Sequence, residues 1–250
     1  MPGWRRLFTK RQKAEPSCAA VIVAAGSARR MEGIDKILTP LSGVPVLART
    51  LAVFQDCPLV REIVVVTRED LLGPVGDLRQ TYGLDKVTKV IVGGKERMDS
   101  VQAGLGEVDA SADLIAIHDG ARPLVTPEIL EETIRRAAET GAAAPGIPVV
   151  DTLKRVEGGR ALATVDRDSL RAIQTPQIFE AGLIRGALQK AREDKAVLTD
   201  DCAAVERLGM KVSVTAGSRE NLKITTPFDL LLGTAILAAR AARGEEGDTK

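Results

Sequence analysis

Four short runs dominated by Val, Ile, Leu and Ala set the strongest limit on the fold of this chain. They fall at Cys18–Ala24, Glu62–Thr67, Val87–Val92 and Leu114–His118. Apolar runs of this length, without alternation, suit strands covered on both faces, as in a parallel sheet. Helical patterns lie between them, near Val46–Gln55, Leu71–Tyr82 and Ser100–Leu105. Thr126–Pro127–Glu128 opens a further helix with a capping hydroxyl, a proline in the first turn and an acid near the positive end. Thr226–Pro227 with Asp229 repeats that chemistry before a long final helix reaching about Arg243. Strand–helix alternation of this kind predicts an open α/β sandwich.

One segment breaks the rhythm. Residues 148–170 read as two extended pieces joined at Gly158–Gly159, a hairpin carrying many charges and little apolar surface. A lone two-stranded hairpin is marginal in water, so it must lean on its own domain or on a second copy. Residues 1–17 read as a flexible basic extension, 18–243 as a single domain with its β-arm at about 148–170, and 244–250 as a polar tail.

Composition removes several function classes. A formal net charge of +1 argues against a general nucleic-acid binder, and aromatic residues at 2% are too few for base-stacking platforms. Cys18, Cys57 and Cys202 form no CxxC pair and suit reduced thiols in a cytoplasmic protein. With His118 the only histidine, a structural zinc site is not expected. No apolar run has the length of a membrane span, and no protein metal site is expected.

Ligands of an open α/β sheet bind outside the carboxyl ends of its strands. Just past those ends stand "AAGSARRM", "GGKERMDS" and "HDGARP", each with small residues and an arginine. The first loop fails the dinucleotide pattern G-x-G-x-x-G, and no Walker A sequence is present. A tight turn with backbone N–H groups remains, beside Arg29, Arg30 and Lys36. The residues alone leave two readings of those cations, a phosphate site or a solvated face.

The motifs "AAGSARRM…DK", "GGKERMDSVQAGL", "HDGARPLV", "DTLKR", "TVDRDSL", "TPQIF", "LTDD" and "NLKITTPFDL" occur in this order from about Ala19 to Ile236. In order and spacing the chain resembles the 2-C-methyl-D-erythritol 4-phosphate cytidylyltransferase family. Ala28 stands where the family often has a second loop glycine, and Ile37 where many members carry glutamine. The resemblance implies a Rossmann-like, nucleotidyltransferase-type sheet with a protruding β-arm. It also implies transfer of a cytidylyl group from CTP to a sugar-alcohol phosphate, with Mg2+ bound mainly through the CTP phosphates.

By the same resemblance, Arg30, Lys36 and Lys223 are catalytic. Ala24, Ala25, Gly26, Gly94, Ser100 and Asp119 bind CTP. Asp119, Arg122, Thr152, Arg167, Thr175, Thr199 and Lys223 meet the acceptor. The arm crosses a homodimer, so Thr152 and Arg167 complete the neighbour's site. Residue chemistry also allows plainer roles: Ser100 as a helix cap, Asp119 as a loop cap, Arg167 in a salt bridge, and His118 as a loop-ordering hydrogen bonder. Three alternatives stay open: a ribitol 5-phosphate cytidylyltransferase, a nucleotide-binding module without chemistry, and a nicotinamide-dependent oxidoreductase, the last disfavoured by its missing glycine pattern.

Overall fold

The computed structural model describes residues 15–26 and 35–244. The basic stretch before Glu15, the loop residues Ala28, Arg29 and Arg30, and the tail beyond Gly244 lie outside the described residues.

The chain runs β1 (Cys18–Val23), β2 (Pro40–Leu41), β3 (Val44–Pro45), α1 (Val46–Asp56), β4 (Val60–Thr67), α2 (Leu72–Thr81), β5 (Val87–Val92), α3 (Arg97–Glu107) and β6 (Leu114–Asp119). It continues with α4 (Pro127–Thr140), β7 (Ala142–Pro148), β8 (Leu153–Glu157), β9 (Arg160–Val165), β10 (Arg171–Ile173) and β11 (Gln177–Glu180). The last elements are α5 (Ala181–Glu193), α6 (Cys202–Arg207), β12 (Ser213–Ala216) and α7 (Pro227–Arg243).

Strands β5, β4, β1 and β6 lie side by side and parallel. Beyond β6 the sheet turns mixed: β11 runs antiparallel to both β6 and β7, β10 antiparallel to the far half of β7, and β12 parallel to β7. Both faces of β1 are covered, as its uninterrupted apolar sequence requires. Cys18, Ala20 and Ile22 enter the core with α1, α2, α4 and α7. Ala19 and Val21 enter the opposite core with α3, α5 and α6. Successive side chains of a strand point to opposite faces, so one strand serves two cores.

Helix ends follow the sequence signals. Thr126 Oγ1 accepts from Ile129 N at 3.4 Å, and α4 closes at Gly141 with φ of 84°, the left-handed region that glycine supplies without penalty. Thr226 and Asp229 form a reciprocal capping box at the start of α7.

The predicted hairpin is present as β8–β9, joined at Gly158–Gly159. Nearly every residue on it is exposed, including Val156 at 59% and Leu162 at 58%. It therefore stands out from the sheet as an arm with both faces in solvent. Cys18, Cys57 and Cys202 are free and buried, and burial pushes each thiol up. No helix among the described residues is long and apolar enough to cross a membrane.

Candidate active site

The chain leaves β1 toward β4 and β5 on one side and returns to β6 on the other, so strand order reverses at β1. That switch point is where an open α/β sheet leaves a crevice. A cavity of about 450 Å³ opens there, between the ends of β1 and β6 and the start of α3. Of the residues singled out by sequence, Ala24, Ala25, Gly26, Lys36, Gly94, Ser100, Asp119 and Lys223 line it. A larger groove of about 570 Å³ runs between α2 and β5 and holds none of them.

The loop after β1 is held close to α3 by the absence of a side chain at Gly93. A Cβ there would lie 2.6 Å from Ser100 Oγ and 2.7 Å from Ala25 Cβ. Ser100 is not the helix cap its position invites. Glu96 caps α3 in a reciprocal pair with Asp99, while Ser100 Oγ accepts from Gly94 N at 3.1 Å and donates to Glu96 O at 3.2 Å. Its hydroxyl thereby fixes the backbone that forms one wall of the cavity.

Asp119 is the electrostatic centre. Its Oδ2 lies 3.1 Å from both Arg122 Nε and Lys223 Nζ, and its Oδ1 lies 3.9 Å from Arg97 Nε. Burial alone would raise the carboxyl, but Lys223, Arg122 and Arg97 hold it well below the usual carboxylate range. Asp119 is therefore ionised, with three cations drawn toward it.

His118 does not face this chemistry. The imidazole is fully buried, 5.0 Å from the Phe54 ring, and burial pushes it down to about 3, so it is neutral at pH 7. Its Nε2 faces Arg122 O at 3.3 Å, an acceptor only, so Nε2 carries the proton. Nδ1 must then accept, and Thr175 Oγ1 at 3.0 Å donates to it while accepting from Asp119 N at 3.2 Å. The expected loop-ordering role of His118 holds.

The same bonds spend the Thr175 hydroxyl inside the protein. Thr175 is buried, and its hydroxyl helps to fix Asp119. Arg122 is similar: Nε meets Asp119 and Nη1 donates to Asn221 O at 2.8 Å. Asn221 is fully buried and donates to Thr175 O at 3.1 Å. Arg122 thus ties the loop bearing Lys223 to Asp119, with its side chain 14% exposed and outside the cavity lining.

Thr152, Arg167 and Thr199 are exposed and do not line the cavity. Arg167 donates through Nη1 to Val150 O across the base of the arm, in place of the Asp166 or Asp168 salt bridge. Arg30 lies outside the described residues. Two further residues belong to the site. Arg97 lines the cavity, and Asp201 sits behind it with Oδ2 2.7 Å from Arg97 Nη2. Both stand in quoted motifs, "GGKERMDS" and "LTDD", and the arginine one turn before Ser100 was the available signal.

Among the described residues no cluster of three or more His, Cys, Asp or Glu could cage a metal. The cavity lining offers two carboxylates, Asp119 and the helix-capping Glu96, a sparse set that fits Mg2+ carried by ligand phosphates and water better than an all-protein site.

Comparison with known proteins gives a consistent result. The sequence model of the 2-C-methyl-D-erythritol 4-phosphate cytidylyltransferase family matches residues 18–239. A relative of that name from Halalkalibacterium halodurans is 44% identical over 226 residues, 90% of this chain and 99% of the relative. One from Alkaliphilus metalliredigens is 40% identical, covering 88% and 92%. The crystal structure of 4-diphosphocytidyl-2C-methyl-D-erythritol synthase from Anaerococcus prevotii superposes with a TM-score of 0.80 at 28% identity, covering 90% of this chain and 97% of that one. The structure of 2-C-methyl-D-erythritol 4-phosphate cytidylyltransferase from Thermus thermophilus gives 0.73 at 32% identity, covering 87% and 98%.

Proposed function

The chain belongs to the 2-C-methyl-D-erythritol 4-phosphate cytidylyltransferase family, and from that premise we infer that its cavity transfers a cytidylyl group from CTP to 2-C-methyl-D-erythritol 4-phosphate. The products are 4-diphosphocytidyl-2-C-methyl-D-erythritol and pyrophosphate, a step of non-mevalonate isoprenoid precursor synthesis. The observation that carries the reading is the convergence of Lys36, Arg97, Lys223 and Asp119 on one crevice at the strand ends.

A phosphate monoester is largely ionised near pH 7, its second pKa being about 6. Its oxygen attacks the α-phosphorus of CTP, and the bond from that phosphorus to the bridging oxygen breaks. Pyrophosphate leaves with the electron pair. No strong general base is needed, which agrees with a neutral His118 that faces away from the cavity. The remaining task is to bring two anions together and stabilise the charge that develops.

Lys36 and Lys223 take that task, and the family resemblance adds Arg30 to them. Fixed cations aimed at developing charge are usually the largest source of acceleration. The small residues Ala24, Ala25, Gly26 and Gly94 let backbone groups approach the nucleotide, and Ser100 holds that wall. Mg2+, when bound through the triphosphate, would supply charge neutralisation on the phosphate oxygens, with Asp119 a cavity carboxylate beside it. Asp119 also holds Arg122 and Lys223 at their present spacing.

The exposure of the arm supports a homodimer as part of this reading. Thr152 and Arg167 are exposed and outside their own chain's cavity, and the hairpin is too exposed to stabilise itself. In this reading each arm brings those residues to the neighbour's acceptor site, and the enzyme works in the cytoplasm as a domain of residues 18–243. Mixing Arg167→Ala with Lys36→Ala subunits tests the sharing: hybrid dimers regain one intact site, and no recovery despite confirmed mixing contradicts it.

The direct test of the activity is pyrophosphate release from CTP with each acceptor in turn. Release with 2-C-methyl-D-erythritol 4-phosphate well above that with ribitol 5-phosphate is expected. CTP binding without release from either would instead support a non-catalytic module.

A further inference from the structure

The carboxylate of Asp201 is out of solvent, its side chain only 2% exposed, yet it belongs to a loop that precedes the short α6. Its position is fixed from β11. Gln177 Oε1 accepts from Asp201 N at 2.9 Å and from Cys202 N at 3.1 Å, and Gln177 Nε2 donates to Asp200 Oδ2 at 2.9 Å. The turn that carries Asp201 is thus locked to the sheet by one glutamine using both ends of its amide. Asp201 Oδ2 then faces Arg97 Nη2 at 2.7 Å.

That pairing is one of charge. It engages one end of the guanidinium, Nη2, against a carboxylate oxygen that is fully buried. The contact with Asp119 is longer still, 3.9 Å from Nε. A guanidinium has five N–H donors, and these two contacts occupy only part of its fork. Its side chain is 32% exposed, and it lines the same cavity as Lys36 and Lys223. Arg122, by contrast, spends Nε and Nη1 on good internal acceptors and lies outside the lining. One arginine of the site is tied to the protein through Nε and Nη1, and the other is held at Nη2 with the rest of its fork beside the cavity.

We propose that Arg97 is a further phosphate-binding residue of this cavity and that Asp201 is its positioning residue, holding the guanidinium from behind so that its fork faces the ligand. The inference rests on the cytidylyltransferase reading and deepens it. A fork of N–H donors matches two oxygens of a phosphate group. Both substrates carry phosphate, the triphosphate of CTP and the monoester of the acceptor, and separate KM measurements distinguish them. A carboxylate behind the arginine also prevents it from collapsing onto Asp119, which would cancel the charge that the ligand is to meet.

The test uses the full chain and steady-state pyrophosphate release, with KM measured for each substrate at saturation of the other. Arg97→Gln raises KM for one substrate by about tenfold or more, the loss expected when a charge-assisted donor is removed, and leaves the other within about twofold. The substrate whose KM moves is the one whose phosphate Arg97 meets. Asp201→Asn moves the same KM in the same direction by less. The double variant is no worse than Arg97→Gln alone, because Asp201 acts through Arg97. Arg97→Lys recovers part of the lost affinity. If Asp201→Asn does not fold, Asp201→Glu takes its place, keeping the charge while shifting the guanidinium by one methylene.

A purely structural pair behaves otherwise: Arg97→Gln lowers the melting temperature and kcat while both KM values stay put. That result, or two additive single variants, overturns the inference. Absence of pyrophosphate release by the unaltered chain overturns the activity on which it rests, and is seen before any variant is made.

Discussion

The centre of the sheet and the arm are built to opposite specifications. In β1 five of six residues are buried, and neighbouring side chains serve two separate cores. In β8 and β9 almost every residue is exposed, and the apolar Val156 and Leu162 are more than half in solvent. Both are strands by hydrogen bonding, but only the first gains from burying its side chains in its own chain. The difference teaches that stability and site geometry reside in the sheet, while the arm adds little buried surface of its own. The cavity belongs to the sheet: Asp119 ends β6, and the loop bearing Lys223 is tied to it through Arg122 and Asn221.

Substitutions in the two regions sharpen that contrast. The largest effect is expected in the core, where Phe54 is fully buried against His118. Phe54→Ala costs about 3–5 kcal/mol of stability by loss of burial and the cavity left behind, read from denaturant unfolding. At the strand ends, Lys36→Ala keeps the fold but loses on the order of 10²–10³ in turnover, as when one such transition-state donor is deleted. Near-normal turnover there breaks the claim that this cavity is the reaction site.

Acid provides the next test. His118 is held near 3 in the folded chain against an ordinary value of 6.5, chiefly by burial. Below pH 6.5 the unfolded chain binds a proton that the folded chain refuses, so stability falls as pH drops from 6.5 toward 3. The loss between pH 7 and pH 5 from this group is about 2 kcal/mol, and it disappears in His118→Gln. A pH-independent midpoint in the unaltered chain over that range contradicts the assignment of a neutral, sealed imidazole.

The smallest effect on folding is expected in the arm. Val156→Ser with Leu162→Ser changes the stability of the isolated subunit by no more than about 0.5 kcal/mol, as for exposed positions generally. The same pair weakens self-association, measured by sedimentation. A large loss of subunit stability breaks the comparison from the other side, since it requires the arm to pack on its own domain.

Much of the sheet is legible in the sequence because burial on both faces leaves an uninterrupted apolar run, as in β1, β4 and β6. The mixed edge is not. β7 reads "AAAPGIP", with alanine, glycine and proline, none of them strand formers by preference. It becomes a strand because β10, β11 and β12 all pair with it. Helix α5 is absent from the sequence reading although its buried Ile184, Ala187, Leu188 and Ala191 keep helical spacing.

The site shows the same division. Lys36, Ser100, Asp119 and Lys223 sit in or beside the segments that follow strand ends, whose composition marks them, and they meet in the cavity. Thr175 and Arg122 also bond to groups far along the chain, His118 and Asn221, which no local pattern reveals. Asp201 is hidden for the converse reason. Only the turn fixed by Gln177 brings it behind Arg97.

A crystal structure with CTP bound gives the most direct trial, since Lys36, Arg97 and Lys223 line the crevice at the strand ends and not the groove between α2 and β5. Phosphate oxygens within hydrogen-bond distance of Lys36 and Lys223, at the ends of β1 and β6, are the predicted result. A nucleotide seated between α2 and β5, or one whose phosphates lie away from both lysines, contradicts the account.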